Sequence, residues 1–135
     1  MPPLIPDHVL GIVCVFQEAE GEPYEGKVAV AEVILRRTRL KYMSDGTVVG
    51  TVMRDRQFSG MNNSSSNRIR SFKIDSDAKV VQDCIKAWNE ARAGSSYTGG
   101  AMHYYNPELA NPSWARGSRT TAVIGNHRFV IPKEG

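Results

Sequence analysis

Two consecutive helical patterns near the start of the chain constrain its fold more than any other feature. The first, DHVLGIVCVFQEA, places apolar side chains on most faces of a helix that Asp7 can cap. Gly21 then supplies a helix stop and Pro23 a helix start. The second pattern runs from about Tyr24 to Leu40, and its predicted buried side consists of Val28, Ala31, Val33, Ile34 and Leu35. The sequence therefore predicts two helices joined by a very short connection.

Glu18 falls in the last turn of the first predicted helix. There the negative end of the helix and the apolar neighbours both disfavour a charged carboxylate. A carboxyl group that keeps its proton near neutral pH is what a general acid requires, so the position indicates glycosidic-bond chemistry. Acidic side chains at helix junctions are also commonly solvated. Several such cases are expected among Glu20, Glu22, Glu25 and Glu32.

The rest of the helical signal is weaker. A short helix is expected over about Thr47–Met53, and residues 60–70, rich in Ser and Asn, are expected to form an exposed loop. Asp75 or Ser76 can cap a third long helix, which Gly94 can close.

The end of the chain carries the only clear strand signal. The segment TAVIGNHRFVI places two β-prone runs around Gly125-Asn126, which predicts a hairpin. There is no internal repeat and no linker, so we expect residues 1–135 to form one domain. The expected fold class is α+β, mainly α, with a small C-terminal β-hairpin.

Charge and cysteine content limit the classes of partner. The net charge of +3 is mild, and no dense run of Lys or Arg marks a nucleic-acid surface. We expect a monomer that binds no nucleic acid. Complementing the helix dipole is the simpler explanation for four cations at the end of the second predicted helix, Arg36, Arg37, Arg39 and Lys41.

Neither a metal nor a cofactor is expected. Cys14 and Cys84 fall within apolar helical segments, which favours buried free thiols, although a pairing between them stays open. The histidines His8, His103 and His127 lie far apart in the chain, and no zinc-like spacing is present.

Three segments carry polar and aromatic side chains where core packing does not demand them. In RQFSG, Gln57 and Ser59 alternate with Phe58, so an extended chain would aim both polar groups to one side. The other two segments are TGGAMHYYNP and the NPSWAR segment that contains Trp114. Rings flanked by amides and hydroxyls suit the flat faces and hydroxyl edges of sugars. Turn chemistry and core aromatics also explain each segment alone.

Together these blocks resemble the SleB-type cell-wall hydrolases, the catalytic domains related to spore cortex-lytic enzymes that also occur in bacteriophages. The blocks are QEAEGEPYEGKVAVAEVILRR, QFS, TGGAMHYYNP, WAR and IGNHRF, in that order, and the resemblance runs from about Val9 to Val130. It implies a lysozyme-like fold, similar to that of lytic transglycosylases, with a glutamate at the end of a helix facing a sugar cleft.

The resemblance also implies roles for individual residues. Glu18 corresponds to the family's catalytic acid/base, and Glu22 to a second glutamate that we expect to organise the site. Substrate-binding positions are implied for Glu22, Gln57, Phe58, Ser59, His103, Tyr104, Asn106 and Trp114. The chain departs from the family pattern at Glu20, Arg36 and His103, and His103 could either bind substrate or satisfy the backbone of its loop.

The implied activity is cleavage of the β-1,4 bond between N-acetylmuramic acid and N-acetylglucosamine in peptidoglycan. Because no second carboxylate is well placed, the pattern favours a lytic transglycosylase that leaves 1,6-anhydromuramic ends over a muramidase that uses water. A non-catalytic wall-binding module of a phage particle and, less favoured, an amidase acting on the stem peptide stay open.

The expected location follows from the absence of two signals. The apolar run from Val9 to Phe16 is too short to span a bilayer, so no membrane insertion is expected. The same run lacks the basic leader and small-residue cleavage site of a signal peptide. We expect a protein made in a bacterial host cytoplasm that reaches the wall after release, as a phage endolysin does, or one carried in a phage virion.

Overall fold

A computed structural model describes residues 7–54 and 78–133 of the chain. Its helices and strands are, in order, α1 (Asp7–Ala19), α2 (Tyr24–Leu40), α3 (Val48–Val52), α4 (Lys79–Arg92), β1 (His103–Tyr105), a 3₁₀ turn (Ser113–Ala115), β2 (Arg119–Ile124) and β3 (His127–Ile131). This confirms the predicted class of mainly helical α+β. Among the described residues, every helix is too short or too polar to cross a bilayer.

The junction between α1 and α2 forms as the sequence predicts. After α1 ends, the backbone N–H of Glu22 donates to the carbonyl of Ala19 at 3.0 Å. Pro23 is the N-cap of α2, in an extended conformation with φ −60° and ψ 163°. The buried Lys27 crosses the junction, and its Nζ donates to the carbonyl of Glu22 at 2.5 Å and to that of Glu20 at 3.2 Å. The carboxyl end of α1 is therefore tied to the first turn of α2.

α1 and α4 pack directly against each other in the core. Trp88 of α4 is fully buried, and its ring lies directly over Gly11 of α1. A Cβ on Gly11 would lie 2.2 Å from the Cη2 atom of that ring, so α1 and α4 approach this closely because residue 11 is glycine.

α2 is the central helix of the core. Of the residues that α2 was predicted to bury, Leu35 is partly buried and the others are fully buried: Val28, Ala31, Val33 and Ile34.

The polar ends of α1 and α3 are linked. Thr47 caps α3, and its hydroxyl accepts from the backbone N–H of Gly50 at 2.9 Å. Asp7 is the first residue of α1, and its Oδ2 accepts from the backbone N–H of Val48 at 3.4 Å. The predicted short helix is thus present, and the predicted loop at residues 60–70 lies outside the described residues.

α4 ends where the sequence predicts. Gly94 follows the helix with φ +108°, a conformation that glycine adopts without strain, and its N–H donates to the carbonyl of Ala91 at 3.1 Å. At the other end of α4, Ala78 occupies the cap position. The two residues predicted to cap it, Asp75 and Ser76, lie outside the described part of the chain.

The predicted hairpin is part of a three-stranded antiparallel sheet. β2 and β3 pair across Gly125-Asn126, as predicted, and β1 pairs with the other side of β3, giving the order β1-β3-β2. The sequence pattern predicts only the hairpin, because a strand of three residues is too short to show alternation. The added strand places Tyr104 opposite Phe129.

Both cysteines are buried free thiols, as predicted. Burial raises the pKa of Cys84 to about 11 and raises that of Cys14 well above its ordinary value. Both groups therefore stay protonated at neutral pH and pack as small apolar side chains.

Candidate active site

Glu18 lies one residue before the end of α1 and is partly buried. The hydroxyl of Tyr104, on β1, donates to Glu18 Oε1 at 2.6 Å. The bond joins two predicted site residues that are 86 positions apart in the chain. The structure thus brings the predicted acid together with one predicted cleft residue.

The surroundings of Tyr104 keep its hydroxyl protonated. Its ring centroid lies 5.0 Å from that of His127 and 5.6 Å from that of Phe129, both on β3. Burial, and then the negative charge of Glu18, raise the pKa of the Tyr104 phenol well above its ordinary value. The phenol is therefore a hydrogen-bond donor to Glu18 across the neutral pH range.

Glu22 ties the hairpin turn to the helix junction. Its Oε1 accepts from the backbone N–H of Asn126 at 2.8 Å, and its Oε2 accepts from Asn126 Nδ2 at 2.9 Å. A Cβ on Gly125 would lie 2.2 Å from Glu22 Oε1 and 2.8 Å from Pro23 Cδ, so this docking requires glycine. These are the contacts of an organising residue, and a direct contact of Glu22 with substrate stays a prediction.

His127 follows this turn and faces both glutamates. Its Nδ1 lies 3.9 Å from Glu22 Oε1 and, within the part of the chain that the structure describes, is buried without a hydrogen-bond partner. Burial lowers the pKa of His127, against the opposing effect of the charges on Glu22 and Glu18. The imidazole is therefore neutral at neutral pH. The IGNHRF block contains this residue, but no local signal singles it out, because its position depends on the docked turn.

His103 lies behind this layer, with both ring nitrogens bonded to protein groups. Arg37 Nη2 donates to His103 Nδ1 at 2.7 Å, so Nε2 carries the proton and donates to the hydroxyl of Tyr42 at 2.9 Å. The ring is 6 % exposed, and Trp114 packs on it with centroids 4.6 Å apart. This arrangement favours a structural role, and contact of His103 with substrate stays a prediction.

Stability is expected to fall in acid because of His103. Burial, and then the charge of Arg37, lower the pKa of His103 from 6.5 to about 4. Between these two pH values the unfolded chain binds a proton that the folded protein does not. The contribution to stability is therefore fully present above the unfolded pKa and is lost as the pH falls towards 4, by about 3 kcal/mol.

Urea unfolding at a series of pH values between 7.5 and 4 measures this loss. His103→Gln lowers stability at all pH values through its lost hydrogen bonds, but it should flatten the pH dependence over this window. Equal slopes for the native protein and the variant would contradict the assignment to His103.

Two arginines of the cationic cluster at the end of α2 hold the chain that leads into β1. The buried Arg37 donates through Nε to the carbonyl of Met102 at 2.7 Å. Arg36 Nη1 donates to the carbonyl of Ala101 at 2.7 Å and to Thr98 Oγ1 at 3.1 Å. The helix-dipole explanation is therefore incomplete for these two residues, while the other two cations of the cluster are exposed at the helix end.

Glu32 is 3 % exposed and is therefore not one of the solvated cases that were expected among the acidic residues around Glu18. Its Oε2 accepts from Ser95 Oγ at 2.5 Å and from the backbone N–H of Tyr97 at 2.8 Å. Its Oε1 accepts from the hydroxyl of Thr98 at 2.8 Å and from the backbone N–H of Thr98 at 2.9 Å. The available sequence signal was its spacing of four from Val28, which places both on the buried side of α2.

The remaining predicted site residues are placed in part. Asn106 closes a turn, in which its Oδ1 accepts from the backbone N–H of Glu108 at 2.9 Å, and a cavity of about 150 Å³ separates this turn from the hairpin turn. Trp114 is 37 % exposed and meets Tyr105 edge-on. The predicted cleft residues Gln57, Phe58 and Ser59 lie outside the described residues.

No group of His, Cys, Asp or Glu side chains in the described ranges converges as metal ligands would.

A glutamate at the carboxyl end of α1, bonded to a tyrosine of a small antiparallel sheet, is the arrangement that the sequence resemblance implies for a lysozyme-like fold. The chain belongs to the Cell Wall Hydrolase family, which matches it over residues 21–130. The matched range covers Glu22, β1 and the hairpin, but it begins after Glu18 and does not include that residue.

Solved structures show the same fold. The catalytic domain of the germination-specific lytic transglycosylase SleB from Bacillus anthracis is 29 % identical, with a TM-score of 0.71 over 96 % of this chain and 99 % of that one. The catalytic domain of the Bacillus cereus SleB protein is 31 % identical, with a TM-score of 0.74 over 92 % of this chain and 88 % of that one. These similarities confirm the SleB-type family and the lysozyme-like fold predicted from the sequence blocks.

Longer relatives are similar over part of their length. The spore cortex-lytic enzymes of Oceanobacillus iheyensis and Bacillus subtilis are 35 % and 30 % identical to this chain over 115 residues, 85 % of its length. The chain spans 38 % and 34 % of those two proteins, respectively.

Proposed function

We propose that the protein is a cell-wall glycosidase that cleaves the β-1,4 bond between N-acetylmuramic acid and N-acetylglucosamine, as a lytic transglycosylase acting on peptidoglycan strands. The observation that carries the proposal is the hydrogen bond from Tyr104 to Glu18 at the end of α1. It orients one carboxyl group in a chain of the Cell Wall Hydrolase family. The Bacillus anthracis neighbour, itself named a lytic transglycosylase, supports the same reaction.

In the first step Glu18 acts as a general acid. Its carboxyl group, which the hydrogen bond from Tyr104 to Oε1 orients, supplies one proton. That proton passes to the glycosidic oxygen as the bond between this oxygen and the muramic C1 breaks. The departing N-acetylglucosamine takes a free 4-hydroxyl, and positive charge develops at the muramic C1.

In the second step the muramic 6-hydroxyl attacks C1, and the Glu18 carboxylate accepts the hydroxyl proton. A 1,6-anhydro ring forms, Glu18 regains its acid form, and no water is consumed. Between the two steps the Tyr104 phenol stabilises the negative charge on Glu18 by a charge-assisted hydrogen bond. This route needs one carboxyl group only.

The role of Glu22 supports this route over one that uses two carboxylates. Both of its oxygens already accept hydrogen bonds from Asn126, and they hold the hairpin in place. An inverting or retaining glycosidase would need a second carboxylate free to activate water or to attack C1. The bonds of Glu22 to Asn126 favour a role in positioning the hairpin instead.

Mass spectrometry of the glycan released from purified peptidoglycan tests the proposal. We expect fragments that end in 1,6-anhydromuramic acid, which are lighter by one water than ordinary ends and resist borohydride reduction. A parallel digest with a known muramidase provides the reducing-end reference. Reducing muramic ends would make the protein a muramidase, and a wall that binds the protein but stays intact would make it a binding module.

A further inference from the structure

A groove of about 710 Å³ lies between α2, the turn that follows it and the end of α4. Glu32, Arg36 and Arg39 share one side of α2 at helical spacing and line this groove. Lys41 and Arg92 contribute from the other two segments. No predicted site residue lines the groove, which we call the basic groove.

The charges of the basic groove are unbalanced. Four cations face one carboxylate, which leaves an excess of three positive charges. Arg36 is anchored by its bonds to Thr98 and Ala101. The other three cations are exposed, and their side chains form no hydrogen bond or salt bridge with the described residues: Arg39, Lys41 and Arg92.

The basic groove brings like charges together around a single carboxylate. Burial lowers the pKa of the Arg36 guanidinium, and the nearby charge of Arg39 lowers it further, while Glu32 acts in the opposite direction. Complementing the dipoles of α2 and α4 accounts for cations near the helix ends, but not for their convergence on one concave surface. A concave surface lined by one sign of charge attracts a ligand of the opposite sign.

We propose that the basic groove binds the carboxylate groups of peptidoglycan stem peptides, as a second contact with the wall apart from Glu18. The inference rests on the proposed function, because it takes peptidoglycan as the substrate. The muramic carboxyl is in amide linkage to the peptide, so the glycan itself is neutral and the negative charge of the polymer lies on its peptides. Arginine side chains match carboxylates in shape and charge, and the groove has the volume of an ordinary ligand site.

Co-sedimentation with purified sacculi freed of teichoic acids tests the proposal. Each protein also carries Glu18→Gln, so that the wall stays intact during the measurement. One set of sacculi is left untreated, and in the other the peptide carboxylates are converted to amides with carbodiimide and excess ammonium. The groove variant is Arg39→Gln/Lys41→Gln/Arg92→Gln. The control variant removes three exposed cations elsewhere, Lys86→Gln/Arg119→Gln/Lys133→Gln.

The groove variant should bind untreated sacculi about tenfold more weakly than the parent, whereas the control variant should differ from it by less than twofold. On amidated sacculi the parent and the groove variant should bind alike. If the control variant lost as much binding as the groove variant, the attraction would be one of diffuse charge. If the groove variant lost as much binding on amidated sacculi as on untreated sacculi, the peptide carboxylates would be excluded as the ligand. Either result, or unchanged binding of the groove variant, overturns the proposal.

A single variant, Arg92→Gln, provides a check if the triple variant does not fold, and it should show a smaller loss on untreated sacculi only. Glycan release is measured separately with Glu18 intact. If glycan is released but the groove variant binds sacculi as the parent does, the proposal of a second contact is wrong and the proposed function stands. If no glycan is released, the proposed function itself is wrong.

Discussion

Glu18→Gln is expected to lower the rate of peptidoglycan lysis by about 10²–10⁴-fold, the usual contribution of a general acid–base residue. Glutamine has nearly the shape of glutamate, and its carbonyl oxygen can still accept the hydrogen bond from Tyr104. The amide cannot give a proton to the glycosidic oxygen or take one from the muramic 6-hydroxyl. Clearing of a turbid peptidoglycan suspension measures the rate, and thermal unfolding shows whether the fold is kept.

The matched control for this experiment is Glu25→Gln. Glu25 is exposed in the first turn of α2, so the same change there removes a charge without touching Glu18 or Tyr104. Its lysis rate should stay within about twofold of the native rate. A Glu18→Gln protein that folds normally and clears the wall at the native rate would remove Glu18 from the reaction.

The helices could be predicted because their signals are local. Pro23 and Gly94 mark a start and a stop through their own backbone preferences, and the apolar spacing of α2 needs no knowledge of its neighbours. β1 could not be predicted in this way. Its pairing of His103 with Val130 depends on a strand far along the chain, and its three residues carry no period.

The same division holds within the candidate site. Glu18 could be selected from its place at a helix end, whereas its bond to Tyr104 depends on where the sheet docks. His127 becomes part of the site only because Glu22 holds the turn before it. A sequence shows which side chains are polar but not which of them have partners across the fold.

Glu32→Gln is expected to lower the free energy of unfolding by about 3 kcal/mol, because it replaces one oxygen of a fully bonded buried carboxylate by an NH₂ group. Each oxygen of Glu32 accepts from one backbone N–H, that of Tyr97 or that of Thr98. A backbone N–H cannot reverse its direction. Whichever way the amide is turned, its NH₂ group therefore faces a backbone donor, and one backbone N–H, partly buried at Tyr97 or buried at Thr98, loses its partner.

The consequence should reach the site, since the segment held by Glu32 leads through Thr98 and Ala101 into β1, which carries Tyr104. Urea unfolding at neutral pH measures the stability loss, and the Glu25→Gln protein serves again as the control, with an expected change below about 0.5 kcal/mol. A Glu32→Gln protein as stable as this control would mean that the carboxylate does not hold the segment. If stability falls while lysis at low temperature is unchanged, Glu32 supports the fold without positioning Tyr104.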